Sequence, residues 1–307
     1  MIREPIEDTF LKNHLASLPE DCREVFLLQE GSVRAVVEQG TSMVNQMRAN
    51  HALGILETLV LGQGYLAGGL LASTVKGNDR VRLTIECGGP IKGVYIEAWA
   101  VGAIRGYLKQ VPIPIDKPLE SFDLSPFFGP GFLSVTKLLE GNKQPFEGQV
   151  MMQHGTIAKD LAEYFLISEQ TPTLISLSIQ FDKEGRVVGA GGLFLQVLPG
   201  AKDDSLEKLE KISLNMPSLG KYLSQGKTGR QFVEEVFAEA GPQHLSSLSL
   251  AFSCPCERQR FANFLGSLSD TEKKNILTEG PFPLELTCFN CGTVYAFSQD
   301  ELARLLK

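Results

Sequence analysis

Four of the six cysteines stand as two close pairs: Cys254-Pro255-Cys256 and Cys288-Phe289-Asn290-Cys291, with 31 residues, 257–287, between them. Each pair sets two sulfurs on one tight turn, and two such turns brought together complete a tetrahedron. Zn²⁺ prefers thiolates in that geometry and has no redox change of its own. Gly292, directly after the last cysteine, supplies the backbone freedom that a knuckle around a metal needs. Two other readings use the same residues. The four cysteines could be inert core thiols, although free cysteines rarely fall as two close pairs by chance. Cys288 and Cys291 could instead be a thioredoxin-like redox pair. That motif opens a helix early in a βαβ unit, whereas here 16 residues follow Cys291.

The expectation is one zinc per chain in the reduced state, on Cys254, Cys256, Cys288 and Cys291. A centre made only of cysteine leaves no open position for water, which argues against Lewis-acid hydrolysis. It is also a redox hazard, because the metal holds sulfur as thiolate, the form that oxidants attack. A structural zinc contributes on the order of 10–16 kcal/mol to a small domain. Oxidising the ligands withdraws that energy, and a disulfide across one or two residues constrains the unfolded chain little in return. Oxidation is therefore expected to unfold this part of the chain.

These pairs need elements to carry them. Ser269-Asp270-Thr271-Glu272 and Ser298-Gln299-Asp300-Glu301 fit capping boxes that each open a helix. Leu284–Thr287 and Thr293–Phe297 read as a small hairpin around the second knuckle. This stretch is short and polar, the usual situation in which a metal supplies the folding energy.

Upstream, residues 1–199 read as a mixed α/β unit. Val25–Leu28 and Val33–Val37 flank a Glu30-Gly31-Ser32 turn, and Ala49–Val75 reads as one long helix or two. Arg80–Cys87, Lys92–Ala98 and Ala103–Lys109 are candidate strands, followed by a Pro-rich run at Val111–Pro118 and a Phe/Gly/Pro loop at Pro126–Phe132. Thr156 caps a helix through Ser168 with Lys159, Asp160 and Glu163 on its polar side, and Leu174–Phe181 and Val187–Leu198 form a closing hairpin. Strands and helices do not alternate strictly, so the expected class is α+β with mainly antiparallel sheet.

Charge is dense from Lys202 to Glu239, with apolar residues at helical spacing: Leu206, Leu209 and Ile212, then Phe232, Val233, Val236 and Phe237. Pro217, Gly220, Gly226 and Gly229 cut this stretch into short pieces. Such helices persist only by laying their stripe on something else. The segment is an ordinary helical connector or a metastable linker. The predicted division is 1–199 as an N-terminal α+β domain, 200–242 as helical linker, and 243–307 as a small C-terminal zinc-binding domain with four cysteine ligands.

The 307 residues, 43% hydrophobic and 21% charged, exclude wholesale disorder and a small disulfide-stapled scaffold. Lys+Arg 29 against Asp+Glu 36 gives −7, which opposes a general affinity for nucleic acid or anionic membrane. The first eight residues are too acidic for a secretory signal. Thr58–Val75 is uncharged but rich in glycine, suiting a buried helix better than lipid. A cytoplasmic location is expected, where clustered cysteines read as ligands before disulfides.

Several signals are set aside. Gly62-Gln63-Gly64-Tyr65-Leu66-Ala67 matches a dinucleotide fingerprint, but no βαβ unit follows, and close helix packing explains the glycines better. His14, His51, His154 and His244 have no ligand spacing, and Cys22 and Cys87 read as small buried hydrophobes. Phe127, Phe128 and Phe132 belong to a binding surface or a core-lining loop.

Beyond the two cysteine pairs, the chain carries Thr74-Val75-Lys76-Gly77, Gly89-Pro90-Ile91, Ile104-Arg105-Gly106-Tyr107 and Ser168-Glu169-Gln170-Thr171-Pro172. Ala190-Gly191-Gly192 and Gln196-Val197-Leu198-Pro199-Gly200-Ala201 follow. In order and number, these motifs make the sequence similar to the redox-regulated holdase chaperones of the heat-shock protein 33 family over essentially its full length. The resemblance implies an ATP-independent chaperone without catalytic turnover, inactive when reduced and zinc-bound. Under oxidation it implies disulfides Cys254–Cys256 and Cys288–Cys291, zinc release, unfolding of tail and linker, and capture of unfolding client proteins, commonly as a homodimer. Two departures stand out: Cys87-Gly88-Gly89-Pro90 replaces the family's frequent Gly-Asp-Gly-Pro, and Glu257 stands where many members have Ser. Two other classes are alternatives. A zinc-ribbon nucleic-acid module would need basic residues at the knuckles, and Cys288–Gly292 contains none. An enzyme using thiolate-bound zinc would need convergent His/Asp/Glu motifs.

Overall fold

Alternation of apolar and polar residues builds two antiparallel sheets in the computed structural model, which describes residues 1–115, 123–201, 207 and 211–306. The first contains β1 (Cys22–Leu28), β2 (Val33–Gln39), β8 (Thr173–Phe181), β9 (Val187–Val197) and β10 (Gln243–Ser249), in the order β10-β1-β2-β9-β8. The second contains β3 (Arg80–Cys87), β4 (Gly93–Trp99), β5 (Ala103–Leu108), β6 (Gly131–Leu138), β7 (Phe146–Met151) and β11 (Ala251–Phe252), in the order β11-β5-β4-β3-β6-β7. Within these sheets the pairings are antiparallel except β11 on β5. A hairpin of β12 (Leu284–Thr287) and β13 (Val294–Phe297) stands apart.

The helices are α1 (Thr9–Ser17), α2 (Thr41–Asn50), α3 (Ile55–Ala72), α4 (Ser125–Phe128) and α5 (Ile157–Ile167), then α6 (Leu219–Leu223), α7 (Gly229–Val236), α8 (Arg258–Gly266), α9 (Asp270–Glu279) and α10 (Gln299–Leu305). The α3 helix lies between the two sheets. Val81, Leu83, Ile85, Val94 and Ile96 face it from one side, Val36 and Phe194 from the other, in one continuous core. A helix that is apolar all round belongs in such a place. It is the one described helix long and apolar enough to cross a membrane, and 89% of it is buried inside the fold.

The α+β class with mainly antiparallel sheet is as expected, whereas the 49–75 stretch holds one helix, α3, behind the last two residues of α2, whose start at Thr41 the sequence reading does not contain. Strands β3 to β5, β8 and β9 lie where alternation places them. Elsewhere the structure departs from the reading. The Pro126–Phe132 loop runs directly into β6, and β7 follows; the sequence reading contains neither strand. The loop zips onto the Gly88-Gly89 turn through Gly89 N–H to Phe128 O at 2.8 Å, burying Phe128 while Phe132 stays half exposed. Asp160 is not on a polar face. It is fully buried and accepts hydrogen bonds from the amides of Gln153, His154 and Thr156, closing the start of α5 in place of the Thr156 hydroxyl.

The linker region also differs. Gly220 does not break a helix; it sits inside α6, where the helix meets the bare backbone of Gly189 on β9. Together α6 and α7 lay Leu219, Tyr222, Leu223, Phe232 and Val233 on Phe26, Val33, Ala35, Val37 and Leu193 of the first sheet's outer face. Leu206 and Leu209 of the predicted stripe, like residues 116–118 of the Pro-rich run, lie outside the described residues. Residues 243–252, read as the opening of the C-terminal unit, form β10 and β11, edge strands of the two N-terminal sheets. Their backbone groups find partners only there, a long-range pairing that local pattern does not reveal.

Candidate metal centre

The two knuckles meet because β11 delivers one and the β12–β13 hairpin the other. Cys254 follows β11 by two residues, while Cys288 and Cys291 occupy the hairpin's connection. There the Cys288 amide donates to Thr293 O at 2.9 Å, and the Cys291 and Gly292 amides both donate to Cys288 O, at 3.1 and 2.8 Å. Gly292 has φ +69°, and a side chain there would collide with the Asn50 carbonyl at the end of α2. Two needs thus coincide on one glycine: a left-handed turn and direct seating on the body.

The four sulfurs lie within 4.8 Å of one another, and all four cysteines are buried. A tetrahedron with sulfurs about 2.3 Å from its centre has edges of roughly 3.8 Å. The Cys254–Cys288 edge is 3.8 Å and the Cys256–Cys291 edge 3.3 Å. The donor set and its spacing fit a four-coordinate ion, so Cys254, Cys256, Cys288 and Cys291 could hold a metal. Both short edges run between the knuckles, so proximity alone does not choose a disulfide pairing.

Polar groups converge on the sulfurs. Arg105 Nη1 donates to Cys254 Sγ at 3.4 Å, Thr293 Oγ1 lies 3.3 Å from Cys291 Sγ, and the Tyr295 hydroxyl lies 3.4 Å from Cys256 Sγ. Hydrogen bonds to Cys288 and Cys291, with a smaller contribution from Arg105, hold Cys254 far below the ordinary thiol range. The same sharing with Cys254 pushes Cys288 up. Arg105 is itself held by Glu97, whose carboxyl stays below its ordinary value because hydrogen bonds and charge from Arg105 outweigh the desolvation that would raise it.

Further contacts come from the N-terminal residues. The Asn50 amide donates to Ile2 O at 2.8 Å and to Cys291 O at 3.0 Å, the Met1 ammonium donates to Cys256 O at 2.7 Å, and the Ile2 amide donates to Thr293 Oγ1 at 3.2 Å. Sequence reasoning assigns no role at the centre to Glu97, Asn50, Thr293 or Tyr295, and it meets Arg105 only as part of the Ile104–Tyr107 motif. A charged residue in an alternating strand reads as a solvent-facing one.

Cys22 and Cys87 lie apart from the cluster. Burial pushes the Cys22 thiol up to about 12 and also raises Cys87, so both remain protonated, poorly nucleophilic thiols. Glu257 is exposed and stands at the N-cap of α8, outside the sulfur cluster.

The family model for Hsp33 protein matches residues 21–298. The chain belongs to the Hsp33 family. The 33 kDa chaperonin of Desulforamulus reducens is 33% identical over 290 residues, covering 91% of this chain and 98% of the relative. That of Syntrophotalea carbinolica is also 33% identical, over 280 residues, covering 91% and 96%. Among solved structures, the 33 kDa chaperonin (heat shock protein 33 homolog) of Thermotoga maritima superposes with a TM-score of 0.84 at 31% identity, covering 94% of this chain and 98% of that one. In this Hsp33-family chain the sulfurs of Cys254, Cys256, Cys288 and Cys291 converge.

Proposed function

We propose that the chain is a redox-regulated, ATP-independent holdase whose resting state is reduced and holds one zinc on Cys254, Cys256, Cys288 and Cys291. The observation that carries this reading is the buried set of four sulfurs where the C-terminal lobe's two knuckles meet. Zinc when bound would supply that lobe with folding energy, since the lobe buries few apolar side chains of its own, among them Ala262, Leu265, Phe297 and Leu302.

Each disulfide takes two electrons from two thiolates; a peroxide accepts them and departs as two hydroxide ions. Disulfides Cys254–Cys256 and Cys288–Cys291 remove all four ligands. The lobe, residues 253–306, then loses its organising centre, and strain passes through β11 and β10 to the linker helices. Their departure uncovers the apolar outer face of the first sheet, a surface suited to unfolding polypeptides. We assign the durable unit to residues 1–199, the linker to 200–242, and the switch to the remainder, with a cytoplasmic location and a homodimeric active form. The reading involves neither catalytic turnover, nucleic acid nor membrane.

The test is light scattering of an unfolding client in the presence of reduced, zinc-loaded protein or peroxide-treated protein. Suppression by the oxidised form alone is expected, and equal aggregation with both would refute the switch. Native mass spectrometry of the reduced protein should show one zinc, absent from Cys288→Ser.

A further inference from the structure

The β11 strand holds the edge of the second sheet through two parallel residue pairs, Ala251–Ala103 and Phe252–Ile104. The Ala251 and Ser253 amides donate to Gly102 O and Ile104 O, each at 2.9 Å. Just beyond this pairing, Arg105 follows Ile104 and Cys254 lies two residues past Phe252, with the guanidinium Nη1 3.4 Å from the sulfur. The orientation of that guanidinium is fixed. Its Nε and Nη2 both donate to Glu97 Oε2, at 3.0 and 2.5 Å, and its Cζ lies 5.2 Å from the Trp99 ring. Glu97 is 3% exposed, and its other oxygen faces Arg82 at 3.3 Å. A guanidinium is a rigid planar fork, so committing one edge to Glu97 aims the remaining nitrogen at Cys254.

We propose that Arg105, oriented by Glu97, is the positioning residue that docks the cysteine centre on the second sheet and makes that docking depend on the charge of the Cys254 sulfur. This rests on the zinc-thiolate reading above. Four thiolates around a divalent ion carry a net charge of −2, and a buried cation facing them forms a charge-assisted hydrogen bond, among the stronger kinds. A two-residue parallel pairing at a sheet edge is a weak attachment on its own. When Cys254 enters a disulfide, two thiolates give two electrons to a peroxide, which leaves as two hydroxide ions. The sulfur that remains is neutral and a poor acceptor. Arg105 then keeps Glu97 and loses its contact with the centre, so β11 keeps only its backbone bonds and the packing of buried Phe252. Oxidation at one sulfur is thereby converted into release of a strand.

Hydrogen exchange on reduced, zinc-loaded protein tests this, using wild type, Arg105→Ala, Arg105→Lys and Glu97→Gln. In Arg105→Ala, the Ala251 and Ser253 amides should exchange about tenfold faster or more, the scale set by one charged hydrogen bond. Amides of β3 and β4 should be unchanged, and zinc should pass to a chelator severalfold faster. Arg105→Lys, which keeps charge without the fork, should recover part of both effects. Glu97→Gln, which keeps shape but releases the guanidinium, should fall between wild type and Arg105→Ala and serves if the alanine variant does not fold. Unchanged protection of Ala251 and Ser253 with unchanged zinc loss would overturn the inference. So would a uniform loss of protection throughout the second sheet, the signature of a merely structural role. Wild-type protein that retains no zinc would instead overturn the zinc reading on which the inference rests.

Discussion

Glu38 shows how far one buried charge can govern stability. Its side chain lies on the inner face of β2 against Gly69 of α3, is fully buried, and receives no hydrogen bond from any described protein group at either oxygen. The neighbouring cation, Arg23, is committed to Gly69 O and Ala100 O, each at 2.9 Å. Desolvation pushes the Glu38 carboxyl up to about 8, with Arg23 opposing. A folded-state pKa above the unfolded one means that the native state binds the proton more tightly. Its contribution to stability is complete below about 4.5 and is lost as pH rises through about 8, on the order of 5 kcal/mol in all. Glu38→Gln should therefore flatten the decline in stability between about pH 5 and about pH 9, measured by urea unfolding of the reduced protein; identical pH slopes for the two proteins would contradict this. At this scale the four cysteines were legible because spacing alone carries their chemistry. The roles of Glu38 and Arg105 were not, because alternation says which face a residue takes but not what covers that face.

At the scale of elements, the glycines of α3 are a packing seam. Gly64 and Gly68 face Ile96 on β4, and Gly62 faces Ile179 on β8. The apparent dinucleotide fingerprint is the close approach of a helix to sheets on both sides. Two effects compete in Gly68→Ala. Helix propensity favours alanine by about 1 kcal/mol, whereas the new methyl would sit 2.5 Å from Ile96 Cγ2, which is fully buried and has little room to yield. Overpacking of about 1–3 kcal/mol should win, lowering the thermal midpoint. Gly266→Ala at the end of α8, where no atom lies within 4 Å, should be neutral or stabilising. Calorimetry of both variants distinguishes steric from propensity control, and a higher midpoint for Gly68→Ala would reject the seam. Central strands other than β6 were readable from alternation, and two capping boxes correctly opened α9 and α10. The edge strands β10 and β11 were not readable, since polar Gln243–Ser249 is a strand only because β1 offers it partners.

For the whole molecule, the first sheet is apolar on both faces, one against α3 and the other beneath α6 and α7. Phe232, fully buried at that second contact, is the point at which the cover is most readily loosened. Phe232→Asp should uncover the sheet without oxidant and give reduced, zinc-loaded protein partial client protection; light scattering no different from reduced wild type would show that the cover is not what restrains activity. The linker's apolar stripe was visible in sequence, but its partner face was not, because that face is assembled from β1, β2 and β9. The centre itself joins positions as distant as Asn50 and Cys291, 241 residues apart. That distance has a consequence in time. On a chain made from its N-terminus, β1, β2 and β9 are complete by residue 197, the helices that cover them follow at 219–236, and the last cysteine of the cluster arrives at 291. Each newly made chain therefore has the strands of its apolar face before it has the residues that cover them.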